Sequence, residues 1–82
     1  MPTTLADLAV NESGTVVALH TASSMQRRLQ DIGLTKNTVV TCVGQSPAKD
    51  PIAFRIRGAI IALRRADCEK VRIIRGDAHG TD

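Results

Sequence analysis

The stretch Ile52-Ala53-Phe54-Arg55-Ile56-Arg57-Gly58-Ala59-Ile60-Ile61-Ala62-Leu63 limits what this chain can fold into more than any other. Ile52, Phe54 and Ile56 recur at every second position, the period of a strand with one buried face. Arg57-Gly58 reads as a tight two-residue turn, and a loop of that length fixes the register. Ile56 then faces Ala59, Phe54 faces Ile61 and Ile52 faces Leu63, so the inward sets of both strands agree. The same register sets Arg55 opposite Ile60 on the outer face, where a branched apolar side chain beside an arginine needs a covering element or a partner.

The rest of the chain is read around this hairpin. Thr4 to Leu8 predicts one short helical turn capped by Thr4, and Asn11 to Gly14 a turn. Thr15 to His20 and Val39 to Val43 are short and rich in β-branched residues, which predicts two strands. Ser46 to Pro51, with two prolines, is a loop. Ala66 to Glu69 reads as a single helical turn, Lys70 to Ile74 as a fifth strand, and residues 76–82 as a polar, poorly ordered tail.

Between the first two strands lies Ser23-Ser24-Met25-Gln26-Arg27-Arg28-Leu29-Gln30-Asp31-Ile32-Gly33. Ser23 and Gln26 have the spacing of a capping box, Met25, Leu29 and Ile32 share one helical face, and Gly33 can adopt the left-handed conformation that ends a helix. A helix of about nine residues is marginal alone in water, so it must dock that stripe. Arg27 and Arg28 are left at its edge. These elements describe a mainly β domain over residues 1–75: a small SH3-like barrel of five strands with one short helix between strands 1 and 2.

Composition narrows the function. The 82 residues contain one aromatic side chain, Phe54, so the chain lacks the exposed rings on which single-stranded nucleic-acid binders stack bases. The net charge of +3 is mild and mixed along the sequence. Cys42 and Cys68 form no C-x-x-C pair and read as separate reduced thiols. No apolar run approaches the ~20 residues that cross a bilayer, and the first residues do not resemble a signal peptide. The expectation is a cytoplasmic protein without membrane insertion.

In order and spacing, Arg27-Arg28-Leu29-Gln30-Asp31-Ile32-Gly33-Leu34-Thr35, Asp50-Pro51, Arg57-Gly58 and Ile61-Ala62-Leu63-Arg64-Arg65-Ala66-Asp67-Cys68 resemble the ferrous iron transport protein A (FeoA) family. The resemblance runs from about Leu5 to Ile74. It departs at Lys36-Asn37, where the family usually has Pro-Gly, at Lys49, where a glycine often stands, and at Cys68, usually alanine, which reads as a small buried residue. The resemblance implies an SH3-like barrel serving as a cytosolic accessory of the ferrous iron permease FeoB, without catalysis. The family's domain is also similar to the SH3-like domain of iron-dependent repressors, so a metal-responsive regulatory domain is the alternative. The sequence as given has no helix-turn-helix region before the domain, which favours the transport accessory. A weak nucleic-acid binder is a further alternative, and no nucleic-acid partner is expected.

The candidate partner-binding residues are Arg27, Arg28, Asp31, Arg55, Arg57 and Ile60. The bland reading of Arg27 and Asp31 is an exposed i, i+4 ion pair worth a few tenths of a kcal/mol. The functional reading is a cationic helix edge that binds carboxylates bidentately. His20 and His79 are the weak metal candidates; neither they nor Cys42, Cys68, Asp67 and Glu69 show ligand-pair spacing. No intrinsic cofactor is expected, although a divalent metal shared at the surface and a homodimer stay open. Nucleophilic catalysis lacks its base and orienting group, and no phosphate-cradling loop is present.

Overall fold

The computed structural model describes residues 3–76. It contains β1 (Thr3–Thr4), a 3-10 turn (Leu5–Asp7), β2 (Ser13–Leu19), α1 (Ser23–Asp31), β3 (Val39–Gln45), β4 (Ile52–Ile56), β5 (Ala59–Leu63), α2 (Arg65–Cys68) and β6 (Val71–Arg75). The strands form one antiparallel sheet in the order β1-β6-β2-β3-β4-β5. The sheet has six strands where the sequence predicts five. The addition is β1, two residues paired with Arg72 and Ile73, too short to show any periodicity. His79 and the tail beyond Gly76 lie outside the described residues.

The hairpin has the expected register in full, from Ile56 opposite Ala59 to Ile52 opposite Leu63. Its turn is left-handed at both residues, with φ of 49° at Arg57 and 85° at Gly58, the backbone that matches strand twist in a two-residue loop. Ile52, Phe54, Ile56 and Leu63 are buried and Ile61 half-buried, but Ala59 is exposed at the turn end of β5, the last strand of the sheet.

Both seven-residue strands bend at a bulge. The register shifts between Val16 and Ala18 where β2 pairs with β6, and between Cys42 and Gly44 where β3 pairs with β4. An extra residue increases local twist, which curls the sheet around its core. That core is aliphatic except for Cys42, Cys68 and Phe54, whose ring is fully buried in a cluster with Leu5, Leu8, Val16, Leu34 and Val40.

The helix begins one residue earlier than the capping-box reading places it. Gln26 N–H donates to the Ala22 carbonyl at 2.8 Å, Ala22 is the N-cap, and no side chain caps the turn. The far end is tightly closed. Leu34 N–H donates to the Leu29 carbonyl at 2.8 Å and Gly33 N–H to the Gln30 carbonyl at 3.0 Å, the paired bonds of a Schellman ending with Gly33 at φ 94°. Leu29 and Leu34 are both buried beneath it. The Gly33 carbonyl then accepts from Arg57 Nε at 3.1 Å and from Thr38 Oγ1 at 3.2 Å, joining the helix end to the β4–β5 turn and the start of β3.

The short helix α2 also lacks a side-chain cap of its own at Arg64. Asp50, fifteen positions earlier, accepts from Arg65 N–H at 3.1 Å and satisfies one of the orphan donors of its first turn. The loop holding Asp50 is folded on itself by Asp50 N–H donating to Ser46 Oγ at 2.9 Å. Arg64 and Arg65 therefore lie past the end of β5, where the chain turns into α2.

Two outcomes test this packing. A β-carbon at Gly33 meets Arg57 Cδ at 2.5 Å on a backbone that disfavours side chains. Gly33→Ala is expected to destabilise by about 2 kcal/mol, lowering Tm by roughly 10 °C in thermal unfolding. Cys42 and Cys68 are free and buried, and burial, reinforced by the Asp67 and Asp50 carboxylates, pushes the Cys68 thiol from 9.0 up to about 12. The folded chain thus keeps a proton that the unfolded chain releases, so stability is lost as pH rises from 9.0 towards 12 and the loss is absent below. Neither thiol should react with a disulfide reagent at pH 8 until denaturant is added, as absorbance of the released thiolate would show.

Candidate partner-binding site

The predicted site residues separate into two neighbouring surfaces. Arg28 lies on α1 beside a groove of about 290 Å³ between that helix and β5. Met25, Leu29 and Ile32 line the helix side, and Ile61 and Leu63 the strand side. The stripe that docks α1 is thus only partly spent on the core: Leu29 is buried, whereas Met25 and Ile32 are half-exposed. Arg55 and Ile60 form the second surface, cross-strand neighbours on the outer face of the hairpin, with Ile60 at 58% exposure.

The cations differ in what they touch. Arg57 is fastened to the Gly33 carbonyl, so it shapes the join between the two surfaces. Arg65 pairs with Glu69 at 3.3 Å, and Arg75 with Glu12 at 3.8 Å. Arg75 also donates through Nη2 to the Asp7 carbonyl at 2.9 Å, tying β6 to the 3-10 turn. The bland pairing of Arg27 with Asp31 does not form: among the described residues no ion pair or hydrogen bond engages Arg27, Arg28, Asp31, Arg55 or Arg64 side chains. One turn of helix separates Arg27 from Asp31, yet both side chains stay in solvent, where such pairs gain little.

Sequence reasoning missed Arg64 and Asp67, which share the groove with Arg28. The visible signal was the Arg64-Arg65-Ala66-Asp67 run, but its placement beside α1 depends on the Asp50 bond that starts α2. The groove continues past Ala62 and Arg64 to Asp50 and Pro51, just before the start of β4. No group of three or more His, Cys, Asp or Glu side chains that could hold a metal ion is present among the described residues, and His20 is exposed at the end of β2. Among the described residues no helix is long and apolar enough to cross a membrane.

Known proteins with this arrangement agree on the architecture. A zinc complex of FeoA from Stenotrophomonas maltophilia, described as an SH3 domain protein, is 27% identical and matches 87% of this chain and 88% of its own with a TM-score of 0.72. The FeoA protein of Chlorobium tepidum, 22% identical, covers 98% of this chain and 79% of its own length with a TM-score of 0.85. The curved sheet is accordingly an SH3-like fold. A Fe(2+) transport protein A/Fe(2+) transporter FeoB fusion protein of Porphyromonas gingivalis is 25% identical over 69 residues. Those residues are 84% of this chain and 8% of that protein. The sequence pattern of the FeoA domain matches residues 3–75, and with nearly the whole described fold inside that match, the chain belongs to the FeoA family.

Proposed function

We propose that this chain is a non-catalytic accessory of a FeoB-type ferrous iron permease, binding the permease's cytoplasmic part and modulating Fe(II) transport from the cytoplasm. The observation that carries the reading is the fusion relative, where a region similar to this chain shares a polypeptide with a FeoB transporter. A covalent link holds two modules at an effective concentration of order mM, whereas a separate chain must achieve association through its own surface. The surface suited to that task is the edge of α1 at Arg27 and Arg28, continued by Arg55 and Ile60 on the hairpin. Guanidinium groups without internal partners can bind carboxylates of an acidic partner in bidentate geometry.

Modulation follows from differential binding. An accessory changes the permease's behaviour only if it binds one of the permease's conformations more tightly than another. The chain's contribution is then a rigid surface, since α1 is closed at Gly33 and held against the hairpin. The single aromatic ring is buried, so no stacking platform competes for single-stranded nucleic acid.

The test is the affinity of the chain for the isolated FeoB cytoplasmic domain in guanosine diphosphate and triphosphate forms. The expected result is binding that differs between the two forms and weakens roughly tenfold or more in Arg27→Ala/Arg28→Ala, with the variant's Tm unchanged within a few degrees. Absence of binding by the unaltered chain in both forms overturns the direct contact.

A further inference from the structure

We propose that the free edge of β5 is a docking site for an extended protein segment that alternates apolar and acidic side chains and joins the sheet as a further strand. The inference goes beyond the transport reading, because it concerns the shape and chemistry of the bound segment whichever protein carries it.

The hairpin register decides which backbone groups are available. Ala59, Ile61 and Leu63 face Ile56, Phe54 and Ile52 across a two-residue loop. In such a ladder the pair closing the turn exchanges hydrogen bonds and every second pair does so after it. The N–H and C=O groups of Ile60 and Ala62 therefore point away from β4. β5 is the last strand of the sheet, and no hydrogen bond among the described residues engages Ile60 or Ala62 on that side. An edge with unpaired donors and acceptors is a template for strand addition.

The surroundings specify the guest. On the inner side of the edge, Ile61 and Leu63 face Met25, Leu29 and Ile32 across the groove. Alternate side chains of an added strand enter that groove and are apolar. On the outer side stand Ile60 and, on β4, Arg55, while Arg28 and Arg64 border the groove. Asp67 is the carboxylate on the same lining, and Asp50, beyond Ala62, already accepts from Arg65 N–H. Arginines thus outnumber carboxylates along the edge, and the intervening side chains of the guest are acidic.

The same charges disfavour a second copy as the occupant. If two β5 strands pair antiparallel through Ile60 and Ala62, the Arg57-Gly58 turn of each copy meets the Arg64-Arg65 segment of the other. Like charges placed opposite across a ladder are destabilising, a device by which edge strands avoid self-association.

The probe is an acetylated, amidated hexapeptide alternating glutamate and valine, compared with its lysine-valine counterpart against isotope-labelled full-length chain. Amide NMR is expected to show binding of the glutamate peptide, with slowed hydrogen exchange at Ile60 and Ala62 and no comparable slowing on β1. Ala62→Pro removes a donor facing the free edge while sparing the bonds to β4, and should weaken the complex roughly tenfold. Arg28→Glu, on the exposed face of α1, provides a second variant that does not touch the strand and should weaken it similarly. Peptide N-methylated at the residues facing β5 should not bind. No binding by the glutamate peptide, equal binding by the lysine peptide, or binding without slowed exchange at Ile60 and Ala62 each overturns the proposal.

Discussion

The carbonyl of Gly33 is where three parts of the molecule meet. Its residue ends α1 in a left-handed turn, and its oxygen accepts from Thr38 at the approach to β3 and from Arg57 at the β4–β5 turn. A nine-residue helix without a side-chain cap at its start has little stability of its own. Its position therefore depends on Leu29 and Leu34, buried beneath the Schellman bonds, and on the Thr38 and Arg57 side chains that donate to the carbonyl. Release of that junction would free the helix and, with it, one wall of the groove beside β5. Arg57 accepts an unfavourable φ of 49° while supplying the bond, so local strain and tertiary attachment reside in one residue.

What was legible in the sequence follows from how many constraints acted on each segment. The hairpin could be read to the residue because turn length, alternation and a matched inward set all demanded one register. The helix could be read from Met25, Leu29 and Ile32, though not its first residue, since Ser23 and Gln26 satisfied a capping pattern that the backbone does not use. The two long strands were visible, but each was read without two of its residues: Ser13 and Gly14 of β2 have turn composition, and Gly44 and Gln45 of β3 follow the bulge at Val43, where the period of two breaks.

The site was legible in residue type more than in arrangement. Arg27, Arg28, Arg55 and Ile60 are exposed as their pattern suggested, but Arg57 serves the fold. Arg64 and Asp67 join the groove through the bond from Arg65 N–H to Asp50, a contact between two short motifs separated in sequence by the whole hairpin. Local patterns have no means of expressing such a contact. Once it forms, the Asp50-Pro51 loop and the start of α2 become one corner, and the end of β5 is fixed between that corner and α1.

The two ends of the sheet are managed differently. β1 offers two residues, and its neighbour β6 is tied down through Arg75 to Asp7 and Glu12, so little edge is available there. β5 offers five, with an exposed isoleucine and a half-apolar groove alongside. An open edge of that kind invites indiscriminate pairing unless charge restricts it. The arginines at both ends of β5 and on the facing edge of α1 impose that restriction: they oppose another copy of the same basic strand and favour a segment bearing carboxylates. A feature that would otherwise be an aggregation hazard thereby becomes selective, and among the described residues the arginines beside the edge whose guanidinium groups have no ion pair or hydrogen bond, Arg28 and Arg64, are the ones open to the carboxylates of a guest.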